Sequence, residues 1–286
     1  MKKITAAFVV LWFILSNLSF VNAEVEKSER IEETFRFSDR QTKSIIVDNV
    51  FGSIRVTGSN ENEARLVVNR TVRASGQEKY ERALEEIYLD IEHENNSLIL
   101  YVEGPFRCKD GSTNYRGWRF YGYEVQYDIE LEIPMRSNVQ LKTVNDGDIH
   151  VRNINGQYEI ENINGGIKIN DLAGSGRVYA LNGDVEIAFS ENPAANSYFG
   201  TLNGDLNLYF RTPLSADIFL KTFNGDVYSD FEVSYLPKKT KMEPEKQGKK
   251  TVYKFDRRFA VQAGDGGPEI ELDTFNGDIH IFQRKS

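Results

Sequence analysis

The sequence predicts an all-β protein built as a β-solenoid, and three observations carry that prediction. The first is a recurring phrase: ALNGDV at 180–185, TLNGDL at 201–206, TFNGDV at 222–227 and TFNGDI at 274–279, with looser copies TVNDGDI from Thr143 and NINGGI from Asn162. The second is alternation. Val139, Leu141 and Thr143 lead into one corner and Ile149 and Val151 leave it, and a period of two marks strands with one buried face. The third is spacing: glycines fall nine apart at 147, 156, 165, 174 and 183, then twenty-one apart at 204 and 225. Asn-Gly between short strands ordinarily signals antiparallel hairpins, but a meander has no reason to keep one frame at every second turn. A coil of about 18–21 residues with two strands does keep it, and repeats at such a period indicate a solenoid.

From the N-terminus, Lys2 and Lys3 precede an apolar run from Ile4 to Leu15, followed by SNLS and FVNA. This reads as a secretory signal peptide, residues 1–23, with cleavage after Ala23. The run is about 12 residues where a bilayer needs about 20, so no integral membrane segment is expected after cleavage. No cysteine stands directly after the run, which argues against a lipid anchor. The mature chain from Glu24 is expected to be exported, to the periplasm or the cell surface.

Residues 24–136 form the less regular first part of a single domain. VDNVFGSIRVTG at 47–58 is a degenerate corner, and ARLVVNRTV and SLILYVE read as strands. Between them SGQEKYERALEEIYLDI reads as the one helix, with Ser75 as its N-cap. It is expected to cover the open end of the stack, because a bare β edge invites aggregation. FYGYEVQYDIELEIP reads as one long strand ending at Pro134. Residues 137–286 hold the regular coils, interrupted by a hairpin insertion at about 232–268. Its lysine-rich stretch PKKTKMEPEKQGKK, 237–250, reads as a solvated tip, with docking to an acidic partner as the alternative.

The chain carries 35 Lys and Arg against 43 Asp and Glu, a net charge of −8, and loss of Lys2 and Lys3 takes it to about −10. An acidic protein without a basic face suits neither nucleic acid nor an anionic membrane. Cys108 is the single cysteine, so no internal disulfide forms and the core must carry stability. No histidine neighbours Cys108 in sequence, and it is not read as a nucleophile.

With its T-Φ-N-G-D-Φ frame (Φ apolar), YDIELEIP entering the first full copy and an early strand–helix–strand segment, the chain resembles the DUF4097 family, exported bacterial proteins carrying an adhesin label. The head domains of autotransporter adhesins share the style of repeat. The resemblance covers roughly residues 40–283. It implies a single-stranded right-handed β-helix and brings no catalytic residues. The long insertion departs from the pattern, and the copies near Gly156 and Gly174 lack the aspartate.

The candidate site residues follow from the frame. Asn182, Gly183, Asp184, Asn203, Gly204, Asp205, Asn224, Gly225, Asp226, Asn276, Gly277 and Asp278 are read as structural corners. Glycine is expected there for backbone angles with positive φ, Asn for a side-chain ladder, and Asp to accept the first free amide past the turn. Stacked carboxylates also suggest a weak Ca²⁺ site, but each corner offers one Asp and few carbonyls, so no cofactor or metal is expected. His150 and His280 share a slot yet lie about five coils apart, on the order of 24 Å, so they cannot share an ion. Glu159, Lys168, Glu186, Asn207 and Tyr228 face outward on successive strands; a polysaccharide-cleaving enzyme would need a carboxylate pair among such residues. Tyr115, Trp118, Phe120, Tyr121, Tyr123 and Tyr127 crowd one stretch, and Trp118, Tyr121 and Tyr123 are candidate ligand contacts if one face is exposed. The expected function is a non-catalytic binding or adhesion module at the bacterial cell envelope, with an envelope protein or glycan as partner. The alternatives are a β-helix enzyme acting on polysaccharide and a periplasmic structural or signalling component that binds another envelope protein.

Overall fold

Alternating apolar residues send successive strands to one or the other of two facing sheets. The structure, a computed structural model, describes residues 24–38, 41–109, 112–236, 243–247, 250–254 and 259–284, with backbone alone at 243–247 and 250–254. The expected signal peptide and the lysine side chains of 237–250 lie outside the described residues. The chain begins with β1 (Val25–Arg36), β2 (Lys43–Asp48), β3 (Ile54–Ser59), β4 (Glu63–Ala74), helix α1 (Gln77–Glu86), β5 (Tyr88–Glu94) and β6 (Ser97–Glu103). A one-turn helix α2 (Trp118–Tyr121) precedes β7 (Tyr123–Pro134). The regular coils are β8 (Ser137–Thr143), β9 (Ile149–Asn155), β10 (Tyr158–Asn164), β11 (Ile167–Ala173), β12 (Gly176–Asn182), β13 (Val185–Phe189), β14 (Ser197–Asn203), β15 (Leu206–Phe210), β16 (Ala216–Lys221) and β17 (Val227–Ser229). The remaining strands are β18 (Val233–Tyr235), β19 (Glu243–Gln247), β20 (Lys250–Lys254), β21 (Phe259–Ala263), β22 (Glu269–Asn276) and β23 (Ile279–Gln283).

The first sheet runs β1-β4-β7-β3-β9-β11-β13-β15-β23-β17 and the second β18-β21-β16-β22-β14-β12-β10-β8-β2-β6-β5. Coil neighbours pair in parallel: Val139 lies beside Tyr158, Tyr158 beside Gly176, and Arg177 beside Tyr198. The offsets of 19, 18 and 21 residues set the length of a coil. Within these two sheets antiparallel pairing is confined to the ends, where β1–β4–β7 and β5–β6 close one and β16–β21–β18 the other. Neither sheet closes into a barrel, and β19 and β20 form a small hairpin of their own.

One side of nearly every strand is buried between the sheets. Ile149, Ile167, Val185, Leu206 and Ile279 form one row across the first sheet and are fully buried. Each such side chain contributes roughly 1.5–3 kcal/mol when taken from water. Phe189 and Phe210 stack 4.8 Å apart between the sheets, with Phe199 edge-on to Phe189.

Four expectations change. The coils do not stack in chain order. β2–β3 lies between the rungs of β6–β7 and β8–β9, and the C-terminal β22–β23 lies between those of β14–β15 and β16–β17. Ser75 does not cap α1: Gly76 holds the N-cap position without a side-chain bond, while the Ser75 N–H donates to Gly122 O. Nor does the helix cover a sheet edge. It packs on β4 and β7 through Ala83, and the edges beside it are strands, charged β1 and acidic β5. The expected long aromatic strand starts only at Tyr123, because Gly117 and Gly122, both at positive φ, bracket α2.

Candidate binding surface

The corner phrase builds four parallel ladders, each residue type serving one. Thr143, Thr201, Thr222 and Thr274 donate their hydroxyls to the carbonyls of Gly52, Gly183, Gly277 and Gly204, at 2.8–3.2 Å. Asn162 takes this role in its coil, its amide reaching Gly147 O and Gly166 O. These donors sit deep in the corner, where an unpaired carbonyl would be costly.

Glycine is required mainly by close approach. A Cβ on Gly277 would stand 1.9 Å from Gly204 O, and one on Gly183 would stand 2.3 Å from Gly165 O. The expected positive φ holds at Gly204 and Gly277 but not at Gly183 or Gly225. Non-glycine residues Asn153 and Asp171 carry the left-handed kinks in β9 and β11 instead.

The asparagines form a one-way chain of amide bonds. Asn164 donates to Asn145, Asn182 to Asn164, Asn203 to Asn182, Asn276 to Asn203 and Asn224 to Asn276, all at 2.7–2.9 Å. The aspartates reach across coils as well. Asp184 accepts the N–H of Asp205, Asp205 that of Asp278 and Asp278 that of Asp226, at 2.8–2.9 Å, and Asp148 accepts Gly166 N–H at 2.7 Å. Asp was expected to accept an amide of its own turn. The stacked geometry brings the neighbouring coil's amide closer, and this also offsets the repulsion between successive carboxylates.

Beside the Asn ladder runs an apolar one, the Φ position of the phrase. Its last rungs are Leu202, Phe275 and Phe223, which are 36, 45 and 58 % exposed. Phe223 and Phe275 stack 4.8 Å apart and nearly parallel. A second stack on the outer face of the first sheet runs Phe282, His280, Tyr228, with the last two 4.8 Å apart. Tyr209 stacks on Phe282 from the next strand. The carboxylates of Asp226 and Asp278 push the Tyr228 phenol above its ordinary range. These aromatic ladders were missed as a surface in the sequence, although the repeated Phe of TFNGD at 223 and 275 is their signal.

His150 and His280 lie in the same row, on β9 and β23. Because β23 sits inside β17, four strand steps separate them rather than five, on the order of 19 Å. Among the described residues no group of three or more His, Cys, Asp and Glu is placed to hold a metal ion. Of the outward residues read for enzyme chemistry, Lys168 and Glu186 pair with each other at 2.9 Å.

The N-terminal aromatic cluster is mostly interior. Tyr123 and Tyr127 are buried, Tyr121 nearly so, and Trp118 is half-buried, while Phe120, in the same helical turn, is 59 % exposed. Tyr123 and Tyr121 therefore leave the surface, and Phe120 takes the outward position. The Tyr123 hydroxyl donates to Glu86. Tyr115 stacks on Tyr121 and meets Phe51 edge-on, and burial pushes its phenol up to about 12. Arg107 anchors the loop ahead of α2, its guanidinium held by Asp48 and Val102 O and stacked on Tyr101. Cys108 in that loop is half-buried and gives its backbone N–H to Ser112 O.

No described helix is long and apolar enough to cross a membrane. No curated protein matches the sequence. Among solved structures the chain is similar to a putative cell adhesion protein from Clostridium sporogenes, with 12% identity and a TM-score of 0.46, over 90% of this chain and 100% of that one. It is also similar to a putative adhesin from Bacteroides fragilis, with 14% identity and a TM-score of 0.37, over 90% of this chain and 97% of that one. A putative lipid binding protein from Parabacteroides distasonis has 13% identity and a TM-score of 0.28, over 89% of this chain and 96% of that one. Likenesses this low carry nothing of those proteins' function to this chain. The family model described as Toastrack DUF4097 matches residues 36–282, a span that takes in every copy of the corner phrase, and the chain therefore belongs to the DUF4097 family.

Proposed function

We propose that the protein is an exported, non-catalytic β-solenoid serving as an adhesion or binding module at the bacterial cell envelope. Residues 1–23 act as the signal peptide, 24–136 as the first part of one domain, and 137–286 as the regular coils with their insertion. Successive strands alternating between two parallel sheets support single-stranded winding. Its right-handed sense rests on the preference of parallel crossover connections, right-handed in about 98% of cases.

The observation that carries the binding reading is the exposed apolar ladder of Leu202, Phe275 and Phe223. An ordered row of apolar groups held out from a rigid corner favours recognition. The non-catalytic reading is supported by the corner aspartates. Asp148, Asp184, Asp205 and Asp278 each accept a neighbouring coil's amide, so they are already engaged as acceptors.

The test is co-sedimentation of residues 24–286 with isolated cell envelope, before and after protease treatment of that envelope. Binding is expected, and reduced on replacing Phe223 and Phe275 with alanine. Binding that protease removes identifies a protein receptor, and binding that survives identifies a glycan or lipid. No sedimentation above background in either case overturns the reading.

A further inference from the structure

At the N-terminal end the first sheet finishes in β1, which among the described residues pairs only with β4. The coil β6–β7 is followed by β4 in the first sheet and by β5 in the second, so β1 stands one strand beyond β5. Phe37 N–H donates to Asn62 O and extends the β1–β4 ladder by one pair. In an antiparallel ladder a residue's N–H and C=O point the same way, and the direction alternates along the strand. The odd-numbered residues of β1 therefore bond β4, while Glu26, Ser28, Arg30, Glu32, Thr34 and Arg36 turn their N–H and C=O to the open side. The same even-numbered residues carry their side chains on the outer face, because Ile31 and Phe35 pack inward against the core.

Charges on an edge strand ordinarily keep other strands from pairing with it. Here they are complementary to the same strand reversed. With Ile31 opposite Ile31 on a two-fold axis, Glu26 meets Arg36, Ser28 meets Thr34 and Arg30 meets Glu32, once on either side of the axis. All three pairs join even-numbered residues, so the outward N–H and C=O groups meet in the same register. Moving the axis one residue sets Arg30 opposite Arg30 or Glu32 opposite Glu32, and like charges directly opposite are destabilising. An intermediate slide sets outward groups against residues already bonded to β4. On the inner side Lys27 meets Phe35 and Glu29 meets Glu33. Glu29 is already neutralised by Arg70 at 2.8 Å, and Lys27 lies diagonal to Glu33 of the other strand, within reach of a long side chain.

We propose that β1 pairs antiparallel with β1 of a second copy of this chain, joining two first sheets into one across a two-fold axis at Ile31. Such a contact is isologous and closes at a dimer. The ion pairs these side chains make within the chain do not oppose it. Arg30 pairs with Glu32, Arg36 with Glu63 and Glu26 with Arg73, and in each the β1 side chain is more than half exposed. Exposed pairs of this kind hold weakly, and exchanging them across the axis leaves no charge buried alone. The overhang of β1 keeps the two acidic β5 edges three strand steps apart, on the order of 14 Å, beyond the ~8 Å screening length of physiological salt. The pairing stands apart from the binding reading above. It places the exposed ladder of Leu202, Phe275 and Phe223 toward the two far ends of the dimer.

Sedimentation velocity of residues 24–286 across the micromolar range tests this, and in that chain nothing of residues 1–23 stands ahead of β1. A reversible monomer–dimer equilibrium is expected, with amide exchange at Ser28, Arg30, Glu32 and Thr34 slowed in the dimer. Arg30→Glu sets like charges opposite one another on both sides of the axis, and so does Glu32→Arg. Each variant alone should raise the dimer dissociation constant at least tenfold. Mixed in equal amounts, the two should form a heterodimer of nearly the original affinity, because each then meets the opposite charge in the other. Mixing cannot repair a change confined to one chain. Should either variant fail to fold by circular dichroism, Glu26→Arg and Arg36→Glu, mixed in the same way, test the outer pairs. A monomer at every concentration overturns the proposal, as does a dimer indifferent to these variants or one that mixing fails to restore. A dimer dissolved by Glu92→Arg on β5 assigns the contact to the other edge and overturns it too. So does assembly that continues past the dimer.

Discussion

The two ends of the stack share a topological device and differ in how they meet solvent. At each, a coil from near a chain terminus is threaded between two others: β2–β3 at one end, β22–β23 at the other. The outermost parallel coils, β6–β7 and β16–β17, therefore come from the chain interior and are held covalently on both sides, which protects an end from fraying. Beyond that the ends diverge. The N-terminal end finishes with twelve-residue antiparallel strands β1 and β4, and β1 carries charges that deter further pairing. The C-terminal end finishes in the three-residue β17 beside exposed rings. Among the described residues, one end closes in long charged strands and the other in a short strand beside exposed rings.

That contrast is broken most severely by a methyl group in the corner. Gly277 and Gly225 carry the same phrase, and a Cβ on either would stand 1.9 Å from the carbonyl of the preceding coil. Gly277 lies in a threaded coil with neighbours on both sides, so Gly277→Ala must displace packed strands. A loss of about 3 kcal/mol or more is expected, at or above the top of the usual range for overpacking. Gly225 lies in the end coil, which can tilt outward, and Gly225→Ala should cost about 1–2 kcal/mol by the same principle. Urea unfolding of both variants checks this, and equal losses would show that the end coil is as rigid as the interior.

Strand positions in the coils were legible because a half-buried strand writes its period of two directly into the sequence, as in Val139, Leu141 and Thr143. The corner was legible because it repeats. Coil order was not, for a physical reason: TFNGDV and TFNGDI offer the same Thr, Asn, Gly and Asp to any neighbour, so local chemistry does not say which coil lies next. The insertion carries β22 away and lets it return inside β16, and only the tertiary fold records this. The aromatic candidates misled for a different reason. Parity across Tyr121 and Tyr123 assumed continuous extended backbone, which Gly122 at φ 72° interrupts. Phe120, rather than Tyr123, thereby faces out.

The Asn ladder sharpens the comparison more gently. Asn203 both donates to Asn182 and accepts from Asn276, whereas Asn224 has one ladder bond, to Asn276. Both side chains are exposed, and a net hydrogen bond contributes about 0.5–1.5 kcal/mol. Asn203→Ala should therefore cost about 1–2 kcal/mol in chemical denaturation and Asn224→Ala about half as much, by the same accounting. An equal cost would mean that the ladder bonds are set by their own geometry and not by the number of coils they join.

The smallest effect separates the ends by pH. Tyr115, in the N-terminal cluster, has a phenol pushed up from 10.0 to about 12, first by burial and then by the Glu124 carboxylate. Tyr228, at the other end, is raised chiefly by the carboxylates of Asp226 and Asp278, with burial a lesser cause. A phenol whose folded pKa exceeds its unfolded value stabilises the fold fully below the unfolded value, and that stability is lost as pH rises through the folded one. For Tyr115 the window runs from pH 10.0 to about 12. Its hydroxyl is buried and has no hydrogen-bond partner among the described residues, so Tyr115→Phe removes an alkaline liability without leaving a group unpaired. Stability at pH 7 should be unchanged or slightly higher, and the decline above pH 10 shallower, read from urea midpoints across that range. Tyr228→Phe should change the midpoints little, because solvent and salt screen the Asp226 and Asp278 carboxylates at this exposed phenol. A matching change in both variants would mean that charge at the acidic corner, rather than burial in the closed end, governs alkaline unfolding.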